Sequence, residues 1–199
     1  ARPDIGGYFD RRNLESKEKY QFSNVEPMVY LNVYRATHPA APAYLAHEFQ
    51  HLITYYQKSA RKNIEEEVWL DEMYSEYAPT LLGYNKEWNG SYIESRVYDF
   101  QQNVQNSLLG WSGNAADQGS AALFAKFLTD QYGKQVIVDA FLSPFTGVES
   151  IEYALSKNGH KKKFWEVFNQ WLAANVINNT INDVQTYAYK APLTYEHFH

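Results

Sequence analysis

The chain has 199 residues, a length that suits one domain or two packed lobes sharing a cleft, and its 45% hydrophobic and 17% aromatic content is ample for a core. A net charge of −5 lacks the basic face of a nucleic-acid-binding protein, and the one short basic run, Lys161-Lys162-Lys163, reads as a solvated helix start. With no cysteine, disulfides, thiolate ligands and a cysteine nucleophile are excluded, so any metal must be held by His, Asp or Glu.

Residues 1 to 27 are polar and loop-like, with Gly6-Gly7 as a turn signal. The β-branched and aromatic run MVYLNVYR, 28 to 35, predicts a strand. Pro42 fits the first turn of a helix predicted from about Ala43 to Arg61. Along it Leu45, Phe49, Leu52, Ile53 and Tyr56 form an apolar stripe expected to face the core. Tyr44, His47, His51 and Tyr55 fall on a second, polar face. Further helices are predicted over about 64 to 78, limited by Pro79, then about 96 to 109, then 119 to 132, closed by Gly133. WSGNAAD precedes that last one as a turn. KQVIVDAFL, GVESIEYALSKNG and KKKFWEVFNQWLAANVI predict three more short helices. The 17 tyrosines and 5 tryptophans read mainly as core packing and partly wet surface.

No apolar run reaches the ~18 residues of a membrane span, and no signal peptide is visible. The chain begins at Ala1 without methionine, as a mature or excised fragment does. In the tail, His197 and His199 read as a solvated terminus rather than a metal site.

The chemistry concentrates in LAHEFQHLI, 45 to 53. Residues i and i+4 of a helix lie one above the other, so His47 and His51 can aim both imidazoles at one point. Imidazole nitrogens suit zinc at about 2.0–2.1 Å. Glu48 lies about 100° round the helix, within reach of a water held there, as a general base. A chance match to this H-E-x-x-H pattern in such a chain is on the order of 1 in 100. Two histidines leave a catalytic zinc one protein ligand short. A third histidine in the H-E-x-x-H-x-x-G-x-x-H pattern is excluded, because LITYYQ follows. EEEVWLDEMYSEYAP, 65 to 79, offers glutamates instead. Glu65, Glu66 and Glu67 read as a solvated first helical turn. Glu72, between Trp69, Leu70 and Met73, is expected to be half buried and to be the third ligand. Glu76, one turn on, is expected to accept the free N–H of a ligating imidazole from the second shell.

HEFQHLI followed by WLDEMYSEYA resembles the gluzincin zinc metallopeptidases, and more specifically the hyicolysin-like neutral metallopeptidases. GGYFDRRNL, SNVEPMVYLNVY and GSAALFAKFLTDQYG also look like segments of that family, so the resemblance covers most of residues 6 to 175. It implies zinc ligands at His47, His51 and Glu72, a catalytic base at Glu48, a protein or peptide substrate, and export from a bacterial cell. The chain departs from the pattern in NAADQ, where a tyrosine next to the glycine is expected. That leaves the oxyanion-stabilising role open, with Tyr92, Tyr98 and His160 as candidates. The Gly-x-Met-Glu-Asn pattern of gluzincin aminopeptidases is also missing, which favours cleavage inside chains.

The expected fold is a mainly helical α+β single domain. A strand-bearing N-terminal lobe of about 1–61 would end in the motif helix, and a helical lobe of about 62–199 would close the cleft. The expected cofactor is one zinc ion. Calcium is compatible with scattered Asp and Asn, but no ligand loop is recognisable. The competing readings are an inactive peptidase-like binding module and a glycan-binding or glycan-cleaving domain, which needs two carboxylates across a cleft and no histidines.

Overall fold

The computed structural model describes residues 5–178, 187–190 and 193, so His197 and His199 lie outside the described residues. Among the described residues, strands β1 (Gly7–Phe9) and β2 (Val29–Leu31) form an antiparallel pair. They are followed by α1 (Ala41–Thr54), α2 (Val68–Leu81), α3 (Tyr92–Gln101), α4 (Ala115–Tyr132), α5 (Lys134–Leu142), α6 (Gly147–Lys157) and α7 (Phe164–Ile177). This is the mainly helical α+β class that the sequence predicts.

The strand expected over 28 to 35 is shorter, and its partner lies where a loop was expected. Gly7, Tyr8 and Phe9 pair with Leu31, Tyr30 and Val29, and the Tyr8 and Tyr30 rings stack at 4.4 Å. A Cβ on Gly7 would lie 2.5 Å from the Tyr30 carbonyl oxygen and 2.9 Å from Glu48 Cγ, so the chain can thread between strand and helix only as glycine.

α1 starts with Pro42 in its first turn, as predicted, and continues beyond Thr54 as a π-helical segment, Tyr55–Ala60. Its orientation overturns the expected one. Leu45, Phe49 and Tyr56 are 45%, 51% and 58% exposed, while Ala41, Ala43, His47, Thr54 and Lys58 are buried. The face packed on α2 is the small and polar one. That lets the two helix backbones approach closely enough for polar side chains of both to meet.

α2 begins later than predicted and runs past Pro79, which lies buried in its last turn, where the lost backbone bond costs little continuation. The expected solvated acidic turn lies before the helix, and Glu66 departs from it. Its carboxylate is 2.5 Å from Lys58 Nζ, with both side chains buried, and it accepts the Gly147 N–H at 2.8 Å. Lys58 also donates to the Phe145 carbonyl at 2.7 Å. This pair ties the end of the motif helix to the α5–α6 connection.

α3 begins at Tyr92 because Ser91 caps it, its hydroxyl accepting the Glu94 N–H, and it ends sooner than predicted. α4 starts before Gly119, at an Asn114–Asp117 capping box. Gly119 is interior, where α3 presses close: a Cβ there would lie 2.5 Å from Phe100 N and 2.7 Å from Arg96 O. α5, α6 and α7 fall where predicted. The core gathers α2 to α7 around Leu70, Met73, Phe124, Phe127, Phe164 and Trp171, all fully buried. No helix among the described residues is long and apolar enough to cross a membrane.

Candidate metal centre

The site is a chain of i, i+4 pairs, each held by the next helix. α1 supplies His47 and His51 on one face. α2 answers with two rows: Asp71 with Ser75, and Glu72 with Glu76. α3 supplies Tyr92 and Arg96.

His51 Nδ1 lies 2.9 Å from Asp71 Oδ2 and 3.1 Å from Ser75 Oγ. His47 Nδ1 lies 3.3 Å from Glu76 Oε1. A carboxylate only accepts, so each Nδ1 carries the proton and donates it. Both Nε2 lone pairs are thereby turned to a common point, and the two Nε2 atoms are 3.1 Å apart. Glu72 Oε2 faces the same point, 3.5 Å from His47 Nε2 and 3.7 Å from His51 Nε2. This oxygen is buried and accepts no hydrogen bond. Ligands about 2.0–2.2 Å from a shared tetrahedral zinc ion are about 3.3–3.5 Å from one another. The three donor atoms fit that spacing.

Three buried acceptors without a donor among them require a cation. Without a metal, a proton serves. Burial opposes the charged form of His47, yet Glu72 and Glu76 outweigh it and push its pKa up to about 10. Burial likewise opposes charge on His51, and Asp71 raises its pKa nonetheless. Metal binding at such a site displaces protons.

Glu76 lies against the His47 imidazole, where the sequence places it. Burial would raise its pKa, but Arg96 and His47 bring it down to about 2. Its carboxylate accepts from Arg96 Nε at 2.7 Å and from the Tyr92 hydroxyl at 3.1 Å. Arg96 also pairs with Asp99 at 3.0 Å.

His47, Glu48 and His51 each offer one ligand atom within 4.8 Å of the others, and so form a group able to hold a metal ion. Glu72 Oε2 is nearer both imidazoles and has no hydrogen-bond partner. The Phe9 main-chain N–H favours the ionised form of the Glu48 carboxylate. Burial raises the Glu48 pKa, with His47 and His51 pulling the other way.

These residues open onto a cleft of about 550 Å³ whose wall includes β1, Glu48, Glu72 and Asp71. Asn32 N donates to Gly6 O at 2.8 Å, so by antiparallel alternation Gly7 and Phe9 turn their main-chain groups away from β2. The strand edge beside the site is therefore β1. The strand predicted over 28 to 35 lies behind it, paired with β1.

Of the oxyanion candidates, Tyr92 stands behind His47, its hydroxyl 3.4 Å from Nδ1 and committed to Glu76. Tyr98 is 64% exposed on α3. His160 packs against Tyr132 at 5.1 Å. Neither Tyr98 nor His160 lines the cleft. Sequence reasoning missed Asp71, Ser75 and Arg96; the available signal was their i, i+4 or adjacent spacing from Glu72, Glu76 and Tyr92. Among the described residues no separate acidic cluster resembles a calcium site. No protein-family model matches the chain, and no curated protein matches it.

Proposed function

We propose that this chain is a zinc-dependent endopeptidase of the gluzincin type, similar to the hyicolysin-like neutral metallopeptidases. The observation that carries this reading is the convergence of His47 Nε2, His51 Nε2 and Glu72 Oε2, mutually 3.1 to 3.7 Å apart, beside the Glu48 carboxylate in an open cleft. His47, His51 and Glu72 would hold the ion. When bound, zinc supplies Lewis acidity towards a water molecule and a peptide carbonyl.

Glu48 acts as general base. Its pKa, raised by burial, brings its proton affinity closer to neutral pH, which suits taking a proton from water and returning it to the departing amine. Glu76 and Asp71 keep the imidazoles in the tautomer that presents Nε2. An extended peptide pairs with the free edge of β1, main chain to main chain. An open cleft with the aminopeptidase pattern missing fits cleavage within chains, and secretion from a bacterial cell accompanies the family likeness.

Protein loaded with one equivalent of zinc is expected to cut casein at internal bonds, read by mass spectrometry, and to stop on addition of a chelator. Zinc-loaded protein that leaves both casein and a random peptide pool intact overturns the proposal.

A further inference from the structure

A smaller cavity of about 180 Å³ adjoins the cleft, and Gly7, His47, Glu48 and Gln118 line both. Its volume is below the about 300–1,000 Å³ of pockets that enclose a whole drug-sized ligand, so it suits one side chain or one chain terminus. The rest of its wall includes Arg35, Tyr44, Tyr92 and Arg96.

The inventory of polar groups here is one-sided. Arg96 is spent on Glu76 and Asp99, and the Tyr92 hydroxyl on Glu76. The Glu48 carboxylate borders the cavity as well. Three groups that can donate remain, two of which, Tyr44 and Gln118, can also accept. The Arg35 guanidinium, the Tyr44 hydroxyl and the Gln118 amide make no hydrogen bond or ion pair among the described residues. Arg35 is half-buried, and a guanidinium cannot accept or lose its charge. Tyr44 packs edge-on against Tyr92 at 5.9 Å, and a Cβ on Gly6 would lie 2.6 Å from its ring. A glycine is thus required where the strand passes this wall.

A cavity with a free guanidinium and two neutral groups able to donate beside it is complementary to an anion with two oxygens in one plane. We propose that it receives a carboxylate of the substrate, next to the bond to be cleaved, with Arg35 as the specificity-determining residue. This rests on the peptidase reading for its position, since the cavity shares His47 and Glu48 with the site. The carboxylate belongs either to an Asp or Glu side chain, consistent with cleavage within chains, or to the substrate's own C-terminus, in which case the enzyme trims chain ends instead.

The test uses the zinc-loaded full chain and matched peptides bearing Glu, Asp, Leu or Lys beside the cleaved bond. A second set carries its sole carboxylate at the C-terminus, free or amidated. The acidic or free-terminus peptides are expected to exceed the Leu or amidated ones by about 10–100-fold in kcat/KM, the range of a charged hydrogen bond. Whichever set shows the preference identifies the source. Arg35→Gln is expected to abolish the preference while the Leu peptide is cut at the wild-type rate, which also reports an intact fold. Arg35→Glu is expected to favour the Lys peptide. Calorimetry with an acetylated glutamate-bearing peptide, with and without zinc, should show binding that Arg35→Gln weakens by a similar factor. Equal cleavage of all peptides, or an acidic preference that survives Arg35→Gln, overturns the inference and leaves the peptidase reading standing. Binding through Arg35 without cleavage of any peptide overturns the peptidase reading instead.

Discussion

Glu48→Gln is expected to lower kcat by about 10²–10⁴-fold, the range for a lost general base, while zinc binding stays at the wild-type level. At about 1.36 kcal/mol per tenfold, that is about 3–5 kcal/mol of barrier. The two effects separate because Glu48 stands beside the donor atoms and not among them. Gln keeps the shape of the side chain. What it cannot do is take a proton. Stability should move the other way. The folded-state pKa of Glu48 is raised by burial, so at neutral pH its ionised form favours the unfolded chain; a neutral amide removes that penalty. A melting temperature at or above wild type, with one zinc per chain and almost no turnover, is the expected triad of results. A Glu48→Gln protein that retains wild-type kcat would place the base elsewhere.

Glu72→Ala is expected to act on the metal itself. Outer-shell changes in such sites cost about 10–100-fold in metal affinity, and removing a ligand should cost more. Asp71→Asn, which alters only the partner of His51 Nδ1, sets the scale for comparison. Competition with a chromophoric chelator should therefore rank wild type above Asp71→Asn, and Asp71→Asn above Glu72→Ala. Hydrolysis at limiting zinc should follow the same order. Full zinc occupancy and activity in Glu72→Ala would mean that Glu48 serves as the third ligand, since it too lies within ligand distance of both histidines.

The i, i+4 histidines and the half-buried Glu72 were legible because helix geometry is local. So were α5, α6 and α7, whose apolar periodicity agrees with their burial. The motif helix shows the limit of the same rule. Periodicity finds two faces, and hydrophobicity assigns the apolar one to the core. Here Leu45 and Phe49 face outward, and the His47 face packs inward against acidic side chains of α2. Pairing with carboxylates outweighs transfer of apolar surface, and no single segment carries that information. Lys58 and Glu66 were hidden for a related reason: a charge run predicts solvation unless its partner is known. β1 was invisible because three residues with a glycine carry little strand signal; its place is fixed by close approach to Tyr30 and Glu48. Arg96 belongs to the same class, a charge whose burial follows from Glu76 on another helix.

The most direct measurement is an anomalous difference map at the zinc edge from crystals of the protein loaded with one equivalent of zinc. A single peak within bonding distance of His47 Nε2, His51 Nε2 and Glu72 Oε2, with Glu48 near but unbonded, is the predicted result. A peak bonded to Glu48 in place of Glu72, or one away from both histidines, would contradict the account.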